Sequence, residues 1–269
     1  MDRSVADFNV RLRTITLIDL IIGIIITLIL TGVSTVVFPE IMESDDLLFI
    51  VVFLIGILLF ALVLKGSKGL DRDIKNIFET ENTIEILYVF ALNILFALLF
   101  MFALSSIDII INFNDPNWVP LWNIDSVDVD SGALILESIG AIIFAPIAEE
   151  LIFRGVLYNR IKIRTGIIPA MIISSILFAS GHEVGGMISA FLFGICMCIL
   201  YQKTDNILIP MSVHFINNLF STVLDIFHLD ILLAQFPIII LSLLISVIGT
   251  IYLFKYIILQ SLALKANYS

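Results

Sequence analysis

The sequence predicts an all-α, polytopic membrane protein of about eight transmembrane helices, with a four-helix core holding its polar groups. Three observations predict it. The 269-residue chain is 60% hydrophobic, with a mean hydropathy of +1.11, more apolar surface than one soluble core of this size hides. Its apolar runs are long enough to cross a hydrocarbon layer about 30 Å thick. All fourteen Lys and Arg fall on one side of an eight-span arrangement.

Taken in order, the spans are roughly 15–37, 47–65, 83–105, 131–151, 166–181, 184–201, 206–227 and 235–257. The fourth is expected to continue as helix beyond Arg154. The polar N-terminus MDRSVADFNVRLRT shows no small-residue cleavage site, so no cleavable signal peptide is expected. Basic residues precede span one (Arg3, Arg11, Arg13). They recur between spans two and three (Lys65, Lys68, Arg72, Lys75) and after span four (Arg154, Arg160, Lys162, Arg164). Lys203, Lys255 and Lys265 complete the set. The opposite loops carry Glu40, Glu43, Asp45, Asp46, Asp115, Asp125, Asp128 and Asp130 and no cation. The positive-inside rule then puts both termini in the cytoplasm, with the cytoplasmic membrane the expected location. The acidic loops read as a solvated face, and no nucleic-acid partner is expected.

Lys65–Thr83 is charged enough to form an interfacial helix. Ser105–Asp130, with Trp118, Pro120 and Trp122, reads as an outer loop resting at the headgroups. Cys196 and Cys198 lie two apart in span six, point in different directions on a helix and read as packing residues. By content the chain divides into residues 1–130 (helices one to three), 131–227 (the core with the chemistry) and 228–269 (a last aliphatic helix).

The chemistry is carried by ionisable groups in apolar surroundings, which are functional candidates by default. On a helix Glu150 and Arg154 are four apart and share a face, whereas Glu149 is turned about 100° away. Arg154 is therefore expected to neutralise Glu150 and leave Glu149 free. Pro146 and Pro210 precede the candidate residues by three and four positions, and each is a potential helix break. Phe178 lies one turn before His182 and is placed to pack on its imidazole. His214 and Asn218 share a face, and both can donate toward one point. Asn217 is off that face, and His228 is given no role. A buried carboxylate can take a proton from water, a histidine can orient that water, and opposed donors can hold an oxyanion. The set reads as amide hydrolysis by activated water. Ser174, Ser175 and Ser180 lack a nucleophile signature. The competing reading is a zinc site of Glu149, His182 and His214, though no H-E-x-x-H is present.

Glu149-Glu150-x-x-x-Arg154, Phe178-x-x-x-His182 and His214-x-x-x-Asn218, in this order on three apolar spans, resemble the motifs of the CPBP intramembrane proteases. This family is also called Abi or CAAX proteases and includes the eukaryotic Ras-converting CAAX endopeptidases. The resemblance covers roughly residues 137–220. It implies an eight-helix fold and endopeptidase activity on a membrane-associated peptide or protein in the lipid bilayer. It implies Glu149 as the base, paired with His182, and His214 and Asn218 as oxyanion stabilisers. Glu150 and Arg154 would be supports. It implies a metal-free mechanism and no cofactor, with zinc the less favoured alternative. For Glu149 to meet His182, span four must extend to about Arg160, placing Glu149 near mid-membrane, and span five must tilt.

Overall fold

The computed structural model describes residues 7–112, 131–227, 229–235 and 238–268. Among them the chain is helical, with no strand. A short α1 (Phe8–Leu12) leads into α2 (Leu17–Val37), a 3-10 turn (Pro39–Glu43) and α3 (Asp45–Val63). Then follow α4 (Leu70–Ile77) and the long α5 (Thr80–Asn112). The next helix is interrupted twice by wider turns. It runs as α6 (Ser131–Ile139), a π segment (Gly140–Phe144), α7 (Ala145–Glu150), a second π segment (Leu151–Tyr158) and α8 (Asn159–Thr165). After it come α9 (Ile167–Ala179), α10 (Met187–Thr204), α11 (Leu208–Ile226), α12 (Leu229–Ala234) and α13 (Ile238–Tyr268).

This is an all-α integral membrane protein. Five of the described helices are long and apolar enough to span a bilayer: α2, α3, α5, α10 and α13. The other three expected spans correspond to the interrupted helix, to α9 and to α11. Apolar composition alone does not start these helices. Thr16 and Asp19 form a capping box that begins α2, which accounts for Asp19 at the end of an apolar run. Ser44 Oγ accepts the Leu47 N–H and begins α3. Asp108 accepts a hydrogen bond from Asn112 one turn on, at 2.8 Å.

The centre of the molecule is α10. Cys196, Met197, Cys198, Ile199 and Leu200 have no exposed surface, so both cysteines pack as expected and are free thiols. Helices α9 and α11, with the interrupted helix, pack around it. By contrast α3 buries none of its residues, and its apolar surface suits lipid.

The cationic ends of the helices gather at one end of the bundle. Arg11 donates to the carbonyls of Leu64 (3.0 Å) and Lys68 (2.6 Å) across the turn that Gly66 and Gly69 make with positive φ. Arg160 donates to the carbonyls of Ile15 (2.6 Å) and Arg13. Arg13 pairs with Asp205, and Lys203 with Glu85. Asn9 ties the group together, donating to Asp73 at 2.8 Å and accepting the Ile207 N–H at 3.0 Å. A helix expected within Lys65–Thr83 is present as α4.

Three expectations need correction. Helix α5 continues to Asn112, so the segment expected to be a loop from Ser105 is helical at its start. Trp118, Pro120, Trp122 and His228 lie outside the described residues. Pro210 does not break a helix. It sits in the first turn of α11, where the backbone N–H has no helical acceptor and proline is tolerated. The third concerns span five. Helix α9 has thirteen residues, so at about 1.5 Å per residue it is only about 20 Å long, well short of a bilayer. It ends at Ala179, so His182 lies in the turn that follows the helix rather than closing the span.

Candidate active site

Pro146 determines the local geometry of the interrupted helix. The Ala145 N–H donates five residues back, to the Gly140 carbonyl. The next carbonyl in that register belongs to Ala141, and the residue five positions on from it is Pro146, which has no N–H. Asn218 Nδ2 donates to that carbonyl instead, at 2.8 Å. The second wide turn is supported in the same way. Asn159 Nδ2 donates to the carbonyls of Arg154 (3.1 Å) and Gly155 (2.9 Å), and Ser174 Oγ donates to that of Phe153 (3.0 Å). Wide turns of this kind cluster at functional sites. In hydrocarbon they persist only where protein groups satisfy the loosened backbone. Between the two lies α7, with Glu149 and Glu150 at its end, about midway along the whole interrupted helix.

The two glutamates diverge as their spacing requires. Glu150 has no exposed surface, and its Oε1 accepts from Arg154 Nη1 at 2.8 Å; Arg154 is equally buried. Arg154 Nη2 also donates to the Gly194 carbonyl at 3.3 Å, and its guanidinium lies 4.5 Å over the Phe178 ring. The approach of α10 needs Gly194, since a Cβ there would stand 2.9 Å from Ser175 Cβ. Glu149 points elsewhere, and its side chain keeps 21% of its surface exposed.

His214 stands between the two carboxylates. Its Nδ1 is 3.0 Å from Glu150 Oε1 and its Nε2 is 3.7 Å from Glu149 Oε2. Glu150 Oε1 also accepts from Arg154, so a neutral His214 that donates its Nδ1–H to the same oxygen turns Nε2, as an acceptor, toward Glu149. His182 is fixed differently. Its Nδ1–H donates to the Phe178 carbonyl at 3.1 Å, which leaves Nε2 as the acceptor. The Phe178 ring lies tilted at 4.8 Å from His182 and edge-to-face at 5.8 Å from His214, and Phe193 lies edge-to-face at 5.0 Å from His214.

The structure therefore gathers Glu149, Glu150, Arg154, Phe178, His182 and His214 into one cluster, with Asn218 one helical turn along α11. The imidazole of His214 comes to 3.7 Å from Glu149, beside the His182 that the resemblance implies as its partner. Asn218 has one amide hydrogen engaged by Ala141. The spacing did not single out Asn159, Phe193 or Gly194 as contributors. Asn159, a polar residue five positions after Arg154, carried a signal; Gly194 carried none. Among the described residues no three His, Cys, Asp or Glu side chains are grouped to hold a metal ion.

The fold and cluster define a membrane protein with a buried polar site among its helices. The family model described as type II CAAX prenyl endopeptidase Rce1-like matches residues 131–220. "Putative membrane peptidase YdiL" of Bacillus subtilis (strain 168) is 28% identical over 85 residues. That alignment covers 31% of this chain, which spans about a third (35%) of the relative's length. No solved structure matches the chain. These matches support a CPBP, or CAAX-protease, family assignment for residues 131–220, the part of the chain that holds the cluster.

Proposed function

We propose that this protein is an intramembrane endopeptidase in which Glu149 activates water to hydrolyse a peptide bond of a membrane-associated protein or peptide. The observation that carries this reading is the chain Arg154–Glu150–His214–Glu149, joined at 2.8, 3.0 and 3.7 Å. Its last gap is open enough for a water beside both groups. Such a water donates one hydrogen to the Glu149 carboxylate and the other to His214 Nε2, leaving its lone pairs toward the substrate carbonyl. Glu149 takes the proton as the C–O bond forms, then delivers it to the leaving nitrogen as the C–N bond breaks. Glu150 fixes the His214 tautomer, Arg154 holds Glu150, and Phe178 packs the assembly together. The second amide hydrogen of Asn218 is the proposed donor to the oxyanion. His182, its Nδ1–H held by the Phe178 carbonyl, is proposed as the second imidazole paired with Glu149, its Nε2 left as an alternative acceptor for the water.

The proposal includes no metal. It places the protein in the cytoplasmic membrane with the cationic end of the bundle and both termini in the cytoplasm, supported by the one-sided distribution of the Lys and Arg other than Arg154, which is buried in the site. The test is a comparison of membrane-protein N-termini in cells carrying the wild type, a deletion or Glu149→Gln. The reading expects at least one new N-terminus found only with the wild type. Identical N-termini in all three strains would refute it.

A further inference from the structure

Helix α11 touches the helix bearing Glu149 by hydrogen bonds at two points, one turn apart on α11. His214 meets Glu150 at 3.0 Å, and Asn218 meets the Ala141 carbonyl at 2.8 Å. On the partner helix these contacts lie on either side of Glu149. The second has a chemical cause. The backbone has stepped into a five-residue register at Ala145 and Gly140, and Pro146 cannot supply the N–H that Ala141 would receive next. An unsatisfied carbonyl costs several kcal/mol in hydrocarbon, where no water replaces the lost donor.

We propose that Asn218 is a positioning residue whose amide replaces the N–H missing at Pro146, fixing the wide turn that aims Glu149 at His214. The second wide turn uses the same device, with Asn159 and Ser174 serving the carbonyls of Phe153, Arg154 and Gly155. This role is separate from donation to an oxyanion, since an amide has two hydrogens. It rests on the hydrolytic reading only for its kinetic consequence.

The test is a double-mutant cycle on the full chain in lipid nanodiscs, using Asn218→Leu, Pro146→Ala and both together. Asn218→Leu orphans the Ala141 carbonyl and lowers the unfolding temperature by roughly 3–8 °C. Alanine at position 146 restores a backbone donor, so in the Pro146→Ala background the same substitution lowers it by less than half as much. Where a cleavable peptide is in hand, Asn218→Leu also shifts the pH profile of kcat/KM, because Glu149 moves relative to His214, and the double variant returns it toward wild type. The turnover number stays low in the double variant, because the oxyanion donor is still missing. An equal temperature loss in both backgrounds overturns the proposal, as does a pH profile that Pro146→Ala leaves unrestored. If Asn218→Leu does not accumulate, Asn218→Ser is used, with the same criterion. A wild type that cleaves nothing defeats the hydrolytic reading alone, since the temperature cycle reads the Asn218–Ala141 contact without any activity.

Discussion

His214 Nδ1 lies 3.0 Å from Glu150 Oε1, the same oxygen that Arg154 Nη1 approaches at 2.8 Å. One carboxylate oxygen thus joins a fully buried guanidinium to an imidazole on another helix. Glu150 is a structural anion as well as an orienting one, and the two glutamates of the motif have opposite tolerances. Replacing Arg154 by alanine strands the Glu150 charge and removes the cation from the face of Phe178. Breaking such a pair costs about 3–5 kcal/mol in buried settings. Arg154→Ala should therefore unfold at a clearly lower temperature than Glu149→Gln in the same lipid. Equal unfolding temperatures would show that Arg154 carries no structural load.

Gly194→Ala should be destabilised by about 1–3 kcal/mol, as overpacking at a tight helix crossing predicts. The added Cβ would meet Ser175 Cβ and Oγ at 2.9 Å and its Cα at 3.2 Å. Backbone must therefore move, and the Gly194 carbonyl that Arg154 reaches moves with it. Gly185→Ala, whose nearest neighbour is Leu104 Cδ1 at 3.8 Å, serves as the control with little effect. Similar thermal stability of the two variants would contradict the close-packing account.

Much of this arrangement was legible in the sequence. The spacing of Glu150 and Arg154 fixed their pairing, the separate face of Glu149 followed from the helical repeat, and the distribution of Lys and Arg gave the end of the bundle where Arg11, Arg13 and Arg160 interlock. Other features were not legible. A one-residue register change at Gly140 leaves no periodic trace in a uniformly apolar run, so Pro146 read as a break rather than a π turn. Hydropathy marked 166–181 as a full span. The end of α9 at Ala179 depends on the turn through Gly181, Gly185 and Gly186 and on the tertiary position of α10. The approach of His214 to Glu149 rests on interhelical distances that spacing within each helix does not encode.

Asp73 gives a pH dependence outside the membrane. Burial, and then the charge of Asp7, raises its pKa above the ordinary 3.8, although Asn9 donates to it at 2.8 Å. A carboxyl with a raised folded-state pKa favours folding while protonated. Its contribution is fully present below the unfolded pKa and is lost as pH rises through the folded one. Asp73→Asn keeps an acceptor for Asn9 and removes the charge. The unfolding temperature of the wild type, relative to Asp73→Asn, should fall as pH rises from about 4 through that window. A difference that stays constant with pH would show that Asp73 ionises without cost to the fold.

Proteolysis should survive metal removal. Protein dialysed against a strong chelator and checked for residual metal is expected to retain its rate, because water activation is assigned to Glu149 and His214. Loss of activity reversed specifically by zinc, with zinc bound stoichiometrically, would recast Glu149 as a ligand.

The most direct test of the central claim is the cleavage rate of purified Glu149→Gln in a bilayer, on the peptide identified from new N-termini. Glutamine keeps the shape of the side chain and removes the base. The expected result is a rate at least about a hundredfold below wild type, the scale of a general-base contribution, with the unfolding temperature unchanged. A folded Glu149→Gln protein that cleaves at a rate near wild type would contradict the account.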